Sequence, residues 1–537
     1  MNKFLSYFLF LFLLSLSTVS AQEFKLHLNP MQVDGLGGLQ SYSYGQYEND
    51  VLLVGGRLDG LHRRQPWASF DLAGHNDQLV VVKPETGELW KQNLNGLPTM
   101  LRDQLKSTNM CFNQMGDYLF LVGGYGYSEQ AQDHITFPLL TIIEVPGMIS
   151  AIKNGTELSR HMQSISNDQM AVTGGYLNRI GDEFFLVGGQ KFNGRYNPMG
   201  PNHGPGFEQE YTNEIRRFHI QGSFPNFSIS PGTIHRDEEL LHRRDYNVVE
   251  QILPNGEEGM IAFSGVFQKG IDLPYLNAVI IDSSGYREIE GFEQLYNHYH
   301  CATFSFFSTE LQEMNTIFFG GIAQFYEQNG TLVQDNNVPF VKTIARVVVD
   351  KEGQVREEKL EEEMPGFLGS GAEFLSLNNL PTYPNGVIDY DALPDSSHIG
   401  YILGGISSSD RNIFWTNDGT QSGASDYLLE VSLVKSRTTF VIEPSQNALN
   451  ENDFQLKVYP NPSDGHLFFS FITNETSNVR IRITDAQGKE LSNEYFEKLP
   501  ADSYGFEKNL DTLSTGQYIF LHLEIDQWSS SRKIILE

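Results

Sequence analysis

Six times along the chain an apolar run ends in a pair of small residues. The runs are Leu52-Leu53-Val54-Gly55-Gly56, Leu119-Phe120-Leu121-Val122-Gly123-Gly124, Phe184-Phe185-Leu186-Val187-Gly188-Gly189, Ile261-Ala262-Phe263-Ser264-Gly265, Ile317-Phe318-Phe319-Gly320-Gly321 and Tyr401-Ile402-Leu403-Gly404-Gly405. A short run without polar interruption, closed by glycine, reads as a buried strand followed by a sharp bend. One strand-like segment precedes each run: Ser41–Tyr47, Asn109–Met115, Gln169–Leu177, Tyr246–Leu253, Cys301–Phe307 and Ala372–Leu377. An alternating or β-branched run follows each one. The first of these, Asn76 to Trp90, reads as strand, Pro/Gly turn and aromatic-ended strand; the others are Leu139–Val145, Asn213–Ile220, Leu276–Asp282, Ile344–Asp350 and Tyr427–Val434. The steps between equivalent positions are 68, 65, 76, 56 and 84 residues. Self-similarity of this kind predicts a ring of β-sheets with one central face.

Beyond about Thr439 the pattern changes. A polar, turn-rich stretch over 441–454 reads as a linker. Alternating strands then follow at Leu467–Ile472 and Val479–Thr484, with turns between them, predicting a small β-sandwich over 455–537.

Two resemblances follow from these residues. The Gly-Gly-ended strand followed by Asn76-Asp77, Val81, Pro84, Thr86-Gly87 and Trp90 is similar to the kelch repeat. That resemblance implies an all-β chain, with a six-bladed kelch-like β-propeller over 22–440. The later copies are degenerate, with Ser264-Gly265 in the fourth. In the C-terminal segment, Val458-Tyr459-Pro460-Asn461-Pro462, Asp485-Ala486-Gln487-Gly488-Lys489, Gly516-Gln517-Tyr518 and Lys533-Ile534-Ile535-Leu536 stand in order. This resembles the type A C-terminal sorting domain of the type IX secretion system. The family implies Sec export, passage across the outer membrane of a Gram-negative bacterium, and release or attachment at the surface.

The N-terminus agrees with export. Lys3, the apolar stretch Phe4 to Leu16 and the small residues Val19-Ser20-Ala21 read as a signal peptide over 1–21, too short to span a bilayer. No transmembrane segment is expected elsewhere. The 537 residues carry 37 basic and 67 acidic side chains, a net charge of −30, which argues against nucleic acid as a partner. The acidic run Glu357–Glu363 reads as a solvated loop or strand edge. The two cysteines, Cys111 and Cys301, fall on inner strands on opposite sides of the ring, so no disulfide is expected.

Aligning the repeats backward from the glycines places a polar residue at the head of most innermost strands. These are Gln40 or Ser41, then Asn109, Asp168, Asp245, His300 and Ser370, with Asn167, Arg243, Arg244 and Tyr299 alongside. Asn109, Asp168, Arg243, Arg244, Asp245, Tyr299 and His300 are therefore the candidate ligand-binding residues on an axial face. Such groups also serve simply to satisfy strand ends and channel water. Tyr299-His300 resembles the Tyr-His pair of copper-radical oxidases on kelch-type propellers. Their second histidine and Cys–Tyr cross-link have no counterpart here, so no metal and no cofactor is assigned. Loops 190–213 and 378–397 are long enough to form a rim or lid. The reading is a secreted or surface propeller that binds a glycan or a protein. The alternatives are a propeller enzyme acting on carbohydrate (hydrolase, lyase or epimerase type), with Asp168, Asp245 and His300 as acid, base or ligand, and a structural component of surface machinery.

Overall fold

The computed structural model describes residues 24–436, except 201, 202 and 205, and residues 454–536, except 455, 464–465, 474–475, 486–488, 510–517 and 527. The expected signal peptide and all but the last residue of the expected linker lie outside the described residues. The chain divides into two compact units, Met1–Arg437 and Thr438–Glu537.

In the first unit the apolar runs become the second strands of six successive antiparallel sheets. The innermost strands are Ser43–Tyr47, Cys111–Met115, Tyr176–Ile180, Asn247–Ile252, Thr303–Ser308 and Phe367–Ser376. Each leads outward through the glycine-ended strand to two more. The second strands are almost entirely buried, because both of their faces pack against neighbouring sheets; Leu52, Leu121, Ile317 and Phe319 are all 0% exposed. The acidic run falls on the outermost strand of the fifth sheet, Val355–Glu363. One of its members turns inward: Glu357 accepts the backbone N–H groups of Leu295 and Tyr296, and burial pushes its carboxyl up to about 8.

The sixth sheet is completed from the opposite end of the unit. Strand Phe24–Met31 pairs along its whole length with Leu428–Lys435, from Phe24 opposite Lys435 to Met31 opposite Leu428. Phe24 and Leu26 point into the core while Lys25 and His27 remain outside. That alternation was visible in the sequence, although the repeat pattern did not include it.

Glycines join one sheet to the next. The second glycine of five pairs donates its N–H to the segment leading into the following sheet: Gly56 to Ser107 O, Gly124 to Val172 O, Gly189 to Arg243 O, Gly321 to Leu368 O and Gly405 to Leu39 O, all 2.7–3.0 Å. The last bond runs from the sixth sheet back to the first. A Cβ on Gly123 would lie 1.8 Å from Val172 O, and one on Gly404 would lie 2.1 Å from Leu39 O. Only glycine permits this approach.

Two insertions shape the faces. Tyr125–Ser128, Asp133–Thr136, Gln190–Asn193 and Glu208–Tyr211 form an accessory four-stranded sheet, so most of loop 190–213 is ordered as strands and their connection. Segment 377–396 crosses from the sixth sheet to others. Asn378 donates to Glu48 O in the first sheet's turn, Asn385 donates to Gln251 O in the fourth, and Ile388–Asp389 pairs with Phe306–Phe307 in the fifth. Asp391 fixes it further by accepting from Ser308, from the N–H and hydroxyl of Thr309, and from Glu310 N–H.

The second unit is a two-sheet β-structure. Lys457–Tyr459, His466–Ile472 and Ser503–Asn509 form one sheet; Glu490–Leu499, Ser477–Asp485, Tyr518–Ile525 and Trp528–Ile535 form the other. Leu467, Phe469, Phe471, Val479, Ile481, Ile483, Leu521 and Leu523 alternate inward to make its core. No helix among the described residues of the chain is long and apolar enough to cross a membrane.

Candidate functional site

Six residues, five of them just before an innermost strand and the sixth, Gly371, within one, are joined by backbone hydrogen bonds into a closed cycle. Ser41 N–H donates to Gly371 O (2.8 Å), Asn109 to Ser41 (3.0 Å), Gly174 to Asn109 (3.1 Å), Asp245 to Gly174 (2.7 Å), His300 to Asp245 (2.9 Å) and Gly371 to His300 (2.9 Å). Five of the six hold positive φ: Ser41 at 51°, Asn109 at 52°, Gly174 at 65°, Asp245 at 48° and Gly371 at 69°. Left-handed backbone favours Gly, Asn and Asp. Much of the polarity at these positions therefore answers a backbone requirement. His300, whose φ is not positive, is the exception, and its side chain is the one the backbone does not explain.

The cycle separates two cavities, and Ser41, Asn109, Asp245 and His300 contribute to both. The upper cavity is a cup of about 870 Å³. Its walls come from the residues preceding the cycle positions, the residues following the glycine pairs, and the accessory sheet. Phe70, Phe192, Tyr196 and Phe207 meet edge to face or tilted at 5.5–5.9 Å, and His62 lies against Phe70 and Tyr196 at 6.1 and 5.2 Å. Across the cup, the guanidinium of Arg244 lies 5.2 Å from the Phe267 ring centre, donates through Nε to Tyr211 Oη at 3.0 Å, and pairs through Nη1 with Asp245. Burial works against the Arg244 charge, but Tyr211 and Asp245 outweigh it and hold its pKa above the usual value.

Arg57 is 4% exposed and bidentate on Asp59 through Nε at 2.6 Å and Nη2 at 2.5 Å. Its Nη1, and Nδ1 of His62, are buried with no hydrogen-bond partner among the described residues. Burial, helped by the Arg244 charge, lowers His62 to about 4, so its imidazole is neutral at physiological pH. A neutral imidazole both donates and accepts.

The lower cavity is smaller, about 510 Å³, and more polar. His300 Nε2 lies 3.0 Å from Glu373 Oε1, a charge contact rather than a well-aligned hydrogen bond. Burial lowers the imidazole pKa, yet the Glu373 charge and contact outweigh burial and leave it raised. Tyr176 stands edge-on to His300 at 5.6 Å, and burial pushes both Tyr176 and Tyr44 upward. Glu250 also lines this cavity, and burial raises it to about 7. The crossing segment contributes Asn378, Thr382, Tyr383, Asn385 and Gly386 to its lining.

Of the seven residues expected on the axial face, Asn109, Asp245 and His300 stand in the cycle, and Arg244 and Tyr299 line the cup beside it. Asn109 Nδ2 reaches Asp245 Oδ1 at 3.4 Å over Gly174, where a Cβ would lie 2.6 Å from that oxygen. Asp168 is elsewhere. It begins a short 3-10 turn capped by Asn167, whose Oδ1 accepts Gln169 N–H, and it lines neither cavity. Its assigned place belongs to Gly174, because the slot demands positive φ. The spacing pointed there: Ser41, Asn109 and Gly174 each precede the first glycine of their pair by fourteen residues. In the sixth sheet the slot likewise falls to Gly371, one residue after Ser370.

Arg243 is a structural residue. It is 1% exposed, with its guanidinium over Tyr275 at 4.3 Å, and it donates to the carbonyls of Leu240, Ser264 and Asn277 and to Asn277 Oδ1. The residues that sequence reasoning missed are Glu373, Arg57, His62 and the aromatic wall. Arg57 was within reach, since it directly follows Gly55-Gly56. The wall was not, because it depends on strands inserted between repeats. Cys111 and Cys301 are free, buried thiols, each pushed up to about 12 by burial. Among the described residues no group of three or more His, Cys, Asp or Glu is placed to hold a metal ion.

No curated protein matches this sequence. Among solved structures the chain is similar to "Structure of YjhT", at 11% identity and TM-score 0.40, covering 74% of this chain and 98% of that one. It is also similar to the WD40 domain of SCAP from fission yeast, at 8% identity and TM-score 0.24, covering 96% and 91%. These are propeller-like neighbours of an all-β chain, and at such values they say nothing about a ligand. Residues 457–537 match the family described as "Secretion system C-terminal sorting domain". The C-terminal unit therefore carries a sorting domain, which implies the type IX machinery and marks the protein as secreted or displayed at the cell surface.

Proposed function

We propose that residues 22–440 form a six-bladed kelch-like β-propeller whose upper cup binds a carbohydrate outside the cell. The propeller reading is supported by six successive antiparallel sheets, the glycine links at five of the six joins between them and the cycle of six backbone bonds. The binding reading rests on one observation above all. Arg57 and His62 line an aromatic-walled cup, and Arg57 Nη1 and His62 Nδ1 are buried without partners among the described residues. Leaving such groups unpaired costs about 1–3 kcal/mol each, and a ligand bearing hydroxyl groups recovers that cost. A sugar also offers apolar C–H faces to the rings around it, and the cup's volume is in the range of small-molecule sites. The charged groups near the cup are mostly paired, Arg57 with Asp59 and Arg244 with Asp245, which suits a neutral polyol.

A glycan array probed with the purified protein tests this. Binding to one class of glycan is expected, and it is expected to disappear in Tyr196→Ala and in Arg57→Lys. A silent array, or binding that both variants retain, would sink the proposal.

A further inference from the structure

The two ends of the cup differ. Its floor is the six-residue cycle, on which Asn109 Nδ2 reaches Asp245 Oδ1 over Gly174 and Ser41 Oγ donates to its neighbour Gln40 Oε1 at 2.6 Å. Beneath the floor, the crossing segment lines the far side of the lower cavity and is held there by its bonds to Glu48 and Gln251. A ligand that enters at the rim meets this floor. The rim itself carries an aromatic residue that has no structural reason to be exposed. Trp415, part of the cup lining, is 62% exposed.

An exposed tryptophan is ordinarily mobile, but this one is held from three sides. Its Nε1–H donates to Asn337 Oδ1 at 3.2 Å, its carbonyl accepts from Arg64 Nη1 at 3.0 Å, and the same guanidinium lies over the ring at 5.1 Å. A guanidinium over one face fixes the ring and leaves the other free to stack. The loop behind it is tied down as well: Asn417 Nδ2 donates to Leu61 O at 2.8 Å, and Asn417 Oδ1 accepts Gly419 N–H at 3.1 Å. Ordering a large side chain in water costs entropy, so a preformed apolar platform at a cup's mouth is a binding device.

We infer that the cup takes the end of a glycan chain, with Trp415 as the platform for a unit outside it. This rests on the carbohydrate reading and narrows it to chain ends. A strand lying across a surface needs an open groove, whereas a floored cup with a platform at its lip accepts one terminus and supports the chain as it leaves. The stacking contact is made only by ligands longer than the cup, so its contribution depends on chain length.

The experiment titrates the purified protein and Trp415→Ala with oligosaccharide ladders, from monosaccharide to hexasaccharide, of β-1,4-glucan, β-1,3-glucan, chitin and α-1,4-glucan. Calorimetry supplies affinity and stoichiometry, and an intact polymer of the binding linkage and known chain length completes the set. For the ladder that binds, affinity is expected to rise with the first added units and then level off. Trp415→Ala is expected to remove that rise, a loss of about tenfold for the longer members, as for one aromatic contact, with the shortest bound member unchanged. On the intact polymer the protein is expected to saturate at one copy per chain end. Many copies per chain would overturn the chain-end inference, and a length dependence that survives Trp415→Ala would overturn the platform. Failure of every ladder to bind would overturn the carbohydrate reading and this inference with it.

Discussion

The two cavities share four residues of one hydrogen-bonded cycle, yet they are built for different ends. The upper cup is open, walled by rings, and has buried donors left over. The lower cavity lies behind a crossing segment, and its histidine is matched to a carboxylate of its own. The polar residues at the axis cannot account for the difference, since both cavities use them. Insertions between repeats account for it: the accessory sheet and the 409–421 loop above, the 377–396 segment below. The repeats supply a floor, and the insertions decide which side of it is available to a ligand.

The most severe way to break the comparison is to force apart two sheets that carry the floor, because both cavities then fail together. Gly123→Ala puts a Cβ 1.8 Å from Val172 O at a φ of +68°, combining a steric clash with left-handed strain. A loss of roughly 3–5 kcal/mol is expected, read as a lower denaturation midpoint. Next in size, Arg243→Met strips a buried guanidinium from three carbonyls and an amide oxygen. About 2–4 kcal/mol should be lost by the same measure. Ligand affinity of the folded fraction is expected to be unchanged, since Arg243 lines neither cavity. Its sequence neighbour should behave in the opposite way. Arg244→Lys keeps a positive charge but gives up the planar contact with Phe267 and the Nε bond to Tyr211. Cup affinity is expected to fall about tenfold or more with little change in stability, measured by calorimetry beside a melting curve.

That adjacent arginines divide in this way shows where sequence reading runs out. The strands were legible because buried runs ending in glycine have few other uses. The cycle was largely legible too, since spacing from those glycines led to Asn109, Asp245 and His300. It failed at Asp168 for a physical reason: polarity was used to find the slot, whereas the slot selects for positive φ, and glycine satisfies that better than aspartate. It failed at Arg243 because a charged residue next to an axial position is as readily a buried strut as a ligand. The Phe24–Met31 strand was missed because its partner, Leu428–Lys435, lies some four hundred residues away. The cup wall was beyond reach for the same reason. Tyr125, Phe192, Tyr196 and Phe207 come together only after Tyr125–Thr136 and Gln190–Tyr211 pair as one sheet.

The smallest expected effect tests whether the cavities are separate. In the native protein the raised pKa of His300 means that the folded state holds this proton more tightly than the unfolded chain. The stabilisation from the His300–Glu373 contact is therefore complete below the ordinary histidine value near 6.5 and is lost as pH rises through the raised folded value. Glu373→Gln removes the charge responsible, leaving burial as the largest influence, which lowers the imidazole and penalises its protonation. The difference in stability between native protein and variant should then be greatest below the ordinary histidine value, on the order of 1–2 kcal/mol, and shrink as pH rises through the raised folded value. The Glu373 charge also raises Tyr44 and Tyr176, whose ordinary tyrosine value lies near 10, above the pH range in which the histidine is tested. Denaturation across this pH range measures it, and a pH-independent difference would show that Glu373 does not hold the His300 proton. Glycan affinity in the cup is expected to be the same in both proteins. If Glu373→Gln weakened it, the floor would be transmitting between the two sides, and the upper cup could no longer be treated as a site on its own.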